Sequence, residues 1–234
     1  MKMVKRLLTA GWICTWIIAG WVTLAAAGIY WESSQTSQGM PGQKDGSKTL
    51  KSYLSENGSR VESEGSIMVF NIKNGTMYQI DPQTQTYSEM SLQALADQMS
   101  AMDEGASAAM QKMMGSPEVV PTQETRTING YKCKKFMVNF MMAESEYWVS
   151  ADIPAAREAQ ELGRKMADAL SQNPMLKQMN LAAMLADLGG FPVETIVKMM
   201  GGQMKTTLTK IEQKKLAENL FTVPKGYKKV APAQ

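Results

Sequence analysis

Thr125-Arg126-Thr127-Ile128-Asn129-Gly130-Tyr131-Lys132-Cys133-Lys134-Lys135-Phe136 sets an Asn-Gly pair between two runs of mixed apolar and polar residues. Asn and Gly tolerate the positive φ of a two-residue β-turn, so the stretch reads as strand, turn, strand. The same dipeptide recurs at Asn57-Gly58 and Asn74-Gly75, again between apolar or alternating runs. Three such turns predict an antiparallel sheet.

Outward from these turns the remaining strands follow. Ile29 to Ser37 and Ser47 to Ser55 flank a loop holding Gly39, Pro41, Gly42 and Gly46. Arg60 to Glu64, Ile67 to Ile72, Thr76 to Ile80 and Thr86 to Glu89 continue the meander. Further strands are expected at Val119 to Ile128, Tyr131 to Met142 and Glu144 to Ser150. A last hairpin, Phe191 to Met200 and Gln203 to Gln213, turns at Gly201-Gly202.

Two helical inserts interrupt this pattern. Leu92, Leu95, Met99 and Met102 recur at helical spacing behind Ser91, a good N-cap, and predict an insert near 91–114. The second, near 154–188, starts with Pro154 in its first turn and carries Ala159, Leu162, Met166, Ala169 and Leu170 on one face. Asn173-Pro174 breaks it, and a further helix from about Met175 to Leu188 closes at Gly189-Gly190. The expected fold is therefore mainly β with α inserts (α+β): a curved antiparallel half-barrel sheet packed around helices.

The N-terminus speaks for export. Lys2, Lys5 and Arg6 precede a stretch from Leu7 to Ala27 without a charged side chain, and Ala25 and Ala27 suit a signal peptidase. Residues 1–27 are read as a signal peptide cleaved after Ala27, and residues 28–234 as a single domain. The alternative is an uncleaved anchor, because the apolar run is long enough to span a bilayer. Either reading puts the domain outside the cytoplasm, periplasmic in a bacterium, with membrane contact only through that segment.

Composition removes several functions. The excess of 25 basic over 22 acidic residues resides in residues 1–27, so the mature chain is balanced and gives no argument for nucleic acid as partner. There is no histidine, hence neither the usual general base nor the usual zinc ligand. Cys133 alone survives cleavage, so no intramolecular disulfide forms. It reads as a buried small hydrophobe, with Lys132 and Lys134 alternating onto the opposite sheet face. The carboxylates Glu62, Glu64, Glu144 and Glu146 have no accompanying nucleophile or metal-ligand pattern and read as strand-surface charges. No cofactor motif is present, and the chain is expected not to be an enzyme.

Methionine is the conspicuous excess, at 21 residues. Its unbranched, polarizable side chain fills irregular cores; the same adaptability can line a cavity or lid for apolar ligands. Met99, Met102, Met110, Met113 and Met114, within a Gln93 to Met114 segment, are the candidate ligand-binding residues on the second reading. A third is thioether coordination of Cu(I) or Ag(I).

Three stretches carry a resemblance: Met77-Tyr78-Gln79-Ile80-Asp81-Pro82 with Thr86-Tyr87-Ser88-Glu89, then Ile128-Asn129-Gly130-Tyr131-Lys132-Cys133-Lys134-Lys135, and Leu220-Phe221-Thr222-Val223-Pro224-Lys225-Gly226-Tyr227. Together they resemble a family of exported bacterial proteins catalogued as domain of unknown function 4412. That family is similar to the LolA-type lipoprotein carriers, whose half-barrel of strands, plugged by helices, holds acyl chains. The resemblance implies a LolA-like fold, and with it a non-catalytic envelope protein that binds or carries a lipid or acyl chain. The alternative is an envelope structural or interaction module with a filled core.

Overall fold

The computed structural model describes residues 25–94, 97, 101, 105, 117–140, 143–171, 177 and 180–232. These form one open, curved sheet of twelve strands. In chain order they are β1 (Ala25–Gln38), β2 (Gly46–Ser55), β3 (Gly58–Ser63), β4 (Ser66–Asn71), β5 (Thr76–Asp81), β6 (Thr86–Ser91), β7 (Glu118–Ile128), β8 (Tyr131–Phe140), β9 (Ala143–Ser150), β10 (Phe191–Met199), β11 (Gly202–Ala217) and β12 (Lys228–Lys229). Their spatial order is β12-β6-β5-β4-β3-β2-β1-β11-β10-β9-β8-β7. The chain thus builds two meanders that join where β1 pairs with both β2 and β11.

Eleven strands pair antiparallel as expected; the exception is β12, whose Lys228 and Lys229 run parallel to Thr86 and Tyr87. The ladder shifts register at Glu32/Ser33, Pro121/Thr125 and Pro192/Glu194. Such irregularities bend strands and raise twist, which curves a sheet of this width.

The Asn-Gly turns differ from one another. Asn129 (φ 49°) and Gly130 (φ 82°) both take positive φ, as the two-residue turn requires. At Asn74-Gly75 only Gly75 does, within a wider loop from Ile72 to Gly75. At the second turn the two loop residues are Glu56 and Asn57, and Gly58 already pairs with Ser55 as the first residue of β3.

Two helices are described in the second insert, α1 (Ala156–Leu170) and α2 (Leu181–Leu188). Pro154 lies in the turn that precedes α1, and Gly189 closes α2 in the left-handed conformation at φ 61°. Ala156, Ala159 and Leu162 of α1 pack on Ile29, Leu54, Phe191 and Val193 of the sheet. Of the first insert, Ser91 Oγ accepts the Ala94 N–H at 3.0 Å, the N-cap bond expected of it. Most of the rest of that insert lies outside the described residues. β8 ends at Phe140, and Met141 and Met142 also lie outside them.

The far half of the sheet is closed by the C-terminal tail. From the unbulged register, Val69, Ile67, Ile80, Tyr78 and Tyr87 share one face. Phe221, in a 3-10 turn over Glu218–Phe221, is fully buried against Val69, Ile80 and Leu216. Asn71 Nδ2 donates to its carbonyl at 2.9 Å, and Arg60 Nη1 donates to the Leu220 carbonyl at 3.0 Å.

Candidate functional site

The hairpin β7–β8 and its neighbour β9 carry two faces of opposite character. Lys134 pairs with Thr125 on one side and Val149 on the other, Lys132 pairs with Thr127, and Phe136 with Pro121 and Tyr147. Alternation therefore puts Lys132, Lys134, Phe136 and Val149 on one face. Cys133, Lys135 and Trp148 occupy the other.

On the second face the charges satisfy one another. Lys135 bridges Glu124 (3.0 Å) and Glu146 (3.5 Å), and Lys198 reaches the same Glu146 at 3.1 Å. Burial alone would raise the Glu146 carboxyl, but the hydrogen bond from Lys198 and the charges of both lysines hold it below the ordinary glutamate range. Nearby, buried Glu194 pairs with Arg126 and, at 2.8 Å, with Lys205.

The first face opens onto a cleft of about 1120 Å³. Its apolar base is Phe136, Val149 and Leu188, with Val119 alongside; Val138 and Met184 belong to the same apolar cluster. The C-terminal end of α2 supplies one wall through Asp187, Leu188 and Gly189, and Asp152 just beyond β9 adds to it. Lys132 and Lys134 line the cleft from β8, Lys134 Nζ 5.7 Å from the Phe136 ring centroid. Among the described residues Lys132, Lys134, Asp152 and Asp187 form no ion pair. The space is as large as the upper range for small-molecule sites, and an apolar base with a few convergent polar groups is their usual composition.

Cys133 is buried, its thiol donating to the Tyr131 carbonyl at 3.4 Å. Burial pushes its pKa up. Of the paired glutamates, Glu62 is held by Arg60 at 2.6 Å and Glu146 by Lys135 and Lys198. Among the described residues no group of three or more acidic or cysteine side chains could hold a metal ion.

The sequence-predicted ligand residues Met99, Met102, Met110, Met113 and Met114 all lie outside the described residues. Sequence reasoning missed two features. One is the cleft, whose walls come from distant segments; the alternation of Lys132 and Lys134 away from Cys133 was its one legible sign. The other is a row of methionines on the sheet face opposite the tail. Met77 and Met90 are direct cross-strand partners and Met68 is their diagonal neighbour, exposed by 38%, 45% and 51%.

Among solved structures the chain is similar to PNGF-II (15% identity, 88% of this chain, 31% of that chain, TM-score 0.41). It spans about a third of that protein's length. It is also similar to a DUF1329 family protein from Desulfovibrio piger (8% identity, 85% and 90% covered, TM-score 0.38). A third is the Mycobacterium tuberculosis lipoprotein LppX (8% identity, 80% and 86% covered, TM-score 0.33). No curated protein sequence matches. A family model matches residues 40–227, most of the chain, and the protein belongs to that family, described as Domain of unknown function (DUF4412).

Proposed function

We propose that this protein is exported and, without catalysing a reaction, binds or carries an amphiphilic ligand such as a lipid or acyl chain in the cell envelope. The observation that carries this reading is the cleft of about 1120 Å³ over Phe136, Val149 and Leu188. A base of that kind removes apolar ligand surface from water at roughly 25 cal/mol per Å², while the open side leaves a polar head in solvent. The leader-like segment before Gly28 supplies the route out of the cytoplasm.

The test is native against denaturing mass spectrometry of protein taken from the exported fraction of its own cells, with a fluorescent fatty acid as probe. Loss of a discrete small mass on denaturation, with Gly28 as first residue, is expected. Phe136→Glu should abolish probe binding and Met77→Glu, on the far half of the sheet, should leave it intact. A bare chain that also ignores the probe would sink the proposal.

One observation favours a second reading, an envelope interaction module. The edge strand β7 is eleven residues long, largely exposed and, among the described residues, paired on one side alone. Such an edge is a template for an added strand, although Pro121 and the bulge after it blunt it. A specific co-purifying protein, lost when Thr125 is replaced by Pro, is the expected sign.

A further inference from the structure

The cleft is lined by side chains of both charges. Lys132 and Lys134 stand on β8; Asp187 lies in the last turn of α2 and Asp152 follows β9. Elsewhere on these strands cations and carboxylates lie within 3.0–3.5 Å of each other, as Lys135 does with Glu124 and Glu146. Here both signs line one cleft, with no ion pair between them among the described residues.

The acidic wall is reinforced. The C-terminus of a helix carries about half a negative charge, which basic side chains in the last turn normally offset. α2 has no basic residue in its last turn and carries Asp187 there instead. The carboxylate and the helix dipole therefore add, at the point where the chain turns through Gly189 into the cleft wall. A protein folds against such like-signed crowding, and the arrangement is compensated when a cation sits beside it. Lys134 and Lys132 on β8 stand beside their cross-strand partners Thr125 and Thr127, whose hydroxyls can donate hydrogen bonds.

We propose that the cleft selects a zwitterionic head group, with a phosphate toward Lys132 and Lys134 and a primary ammonium toward Asp187 and Asp152, above an acyl chain lying on Phe136 and Val149. This rests on the reading of the cleft as an amphiphile site and adds the class of ligand. A phosphate gains charge-assisted hydrogen bonds from the lysines. An ammonium with three N–H donors suits carboxylates and helix-end carbonyls. A purely anionic head would leave the acidic wall unpaired and repelled.

The experiment is calorimetric titration of the full exported chain with three ligands of one acyl chain length, below their micelle-forming concentrations: lysophosphatidylethanolamine, lysophosphatidylglycerol and the free fatty acid. The ethanolamine form should bind about tenfold more tightly than the glycerol form, the affinity ratio that 1.4 kcal/mol produces. Replacing both acids (Asp152→Asn with Asp187→Asn) should bring that ratio to about one by weakening the ethanolamine ligand alone. Lys132→Gln with Lys134→Gln should weaken both phospholipids and spare the fatty acid's chain contribution. These four side chains are exposed, and circular dichroism of each variant is the check that the fold is retained. Equal binding of all three ligands, or a ratio unmoved by the Asn variants, overturns the head-group assignment and leaves the amphiphile site standing. Absence of binding by every ligand overturns both.

Discussion

Arg126 lays its guanidinium 3.8 Å from the ring centroid of Trp148 while pairing with Glu194, so one side chain ties edge strand β7 across β8 to β9 and β10. Glu194 is 4% exposed and also receives Lys205 at 2.8 Å and the Thr207 hydroxyl at 3.0 Å. Burial alone would raise its carboxyl pKa; the hydrogen bonds from Lys205 and Thr207 and the charges of Lys205 and Arg126 outweigh it and hold the pKa below the ordinary value. A depressed folded pKa contributes stability in full above the unfolded value, about 4.3, and loses it as pH falls through the folded one. Glu194→Gln should lower stability at pH 7 by about 1–3 kcal/mol and flatten the loss of stability below pH 4. Urea unfolding across that range checks both. An unchanged acid limb would show that Glu194 is not among the groups that set it.

Two glycines that look alike in sequence should respond differently to alanine. At Gly58 (φ 151°) an added Cβ would lie 2.0 Å from the Phe70 carbonyl oxygen, a backbone atom that cannot yield. At Gly130 (φ 82°) no atom of the described residues lies within 4 Å, and only the left-handed conformation resists a side chain. Gly130→Ala should cost about 1 kcal/mol and Gly58→Ala more than about 2 kcal/mol, measured by thermal or urea melts. Equal costs would contradict the close approach of β3 to β4.

Phe221 is the plug of the far half-sheet. It is fully buried, while the opposite face of the same strands leaves Met68, Met77 and Met90 exposed. Phe221→Ala should therefore cost about 3–5 kcal/mol. The loss should be local, with faster amide hydrogen exchange in β4 and β5 than in β8 and β9. A uniform rise across the sheet would mean that the two meanders unfold as one unit.

Local rules made most of the sheet legible. Asn-Gly pairs and alternation placed every strand from β1 to β11 within a few residues, because turn chemistry and side-chain period are properties of neighbours in the chain. β12 escaped because two residues, Lys228 and Lys229, have no period; they pair with Thr86 and Tyr87 only because the tail before them is pinned by Phe221. The cleft was illegible for a related reason. Phe136 and Leu188 meet through the packing of α2 on β8 and β9, and no local pattern reports where a short helix docks. Methionine abundance drew attention to Met99 and Met102, whereas Met77 and Met90 are brought side by side by strand register alone.

Cys133 reports which face of β8 is turned to the cleft. Its flanking lysines would activate an exposed thiol by stabilising the thiolate, yet register turns Lys132 and Lys134 to the cleft face and Cys133 to the other. There it packs in the cluster that holds Trp148 and Leu208, at 3% exposure, with its pKa raised by burial. The native protein should react with a thiol-specific disulfide reagent at neutral pH only as fast as it opens, and denaturant should accelerate labelling by orders of magnitude. Cys133→Ala should leave the cleft ligand-competent while costing about 1 kcal/mol of stability, as a small cavity does. Rapid labelling of the folded chain would place the thiol on the lysine face, which would reverse the assignment of β8 and remove Lys132 and Lys134 from the cleft.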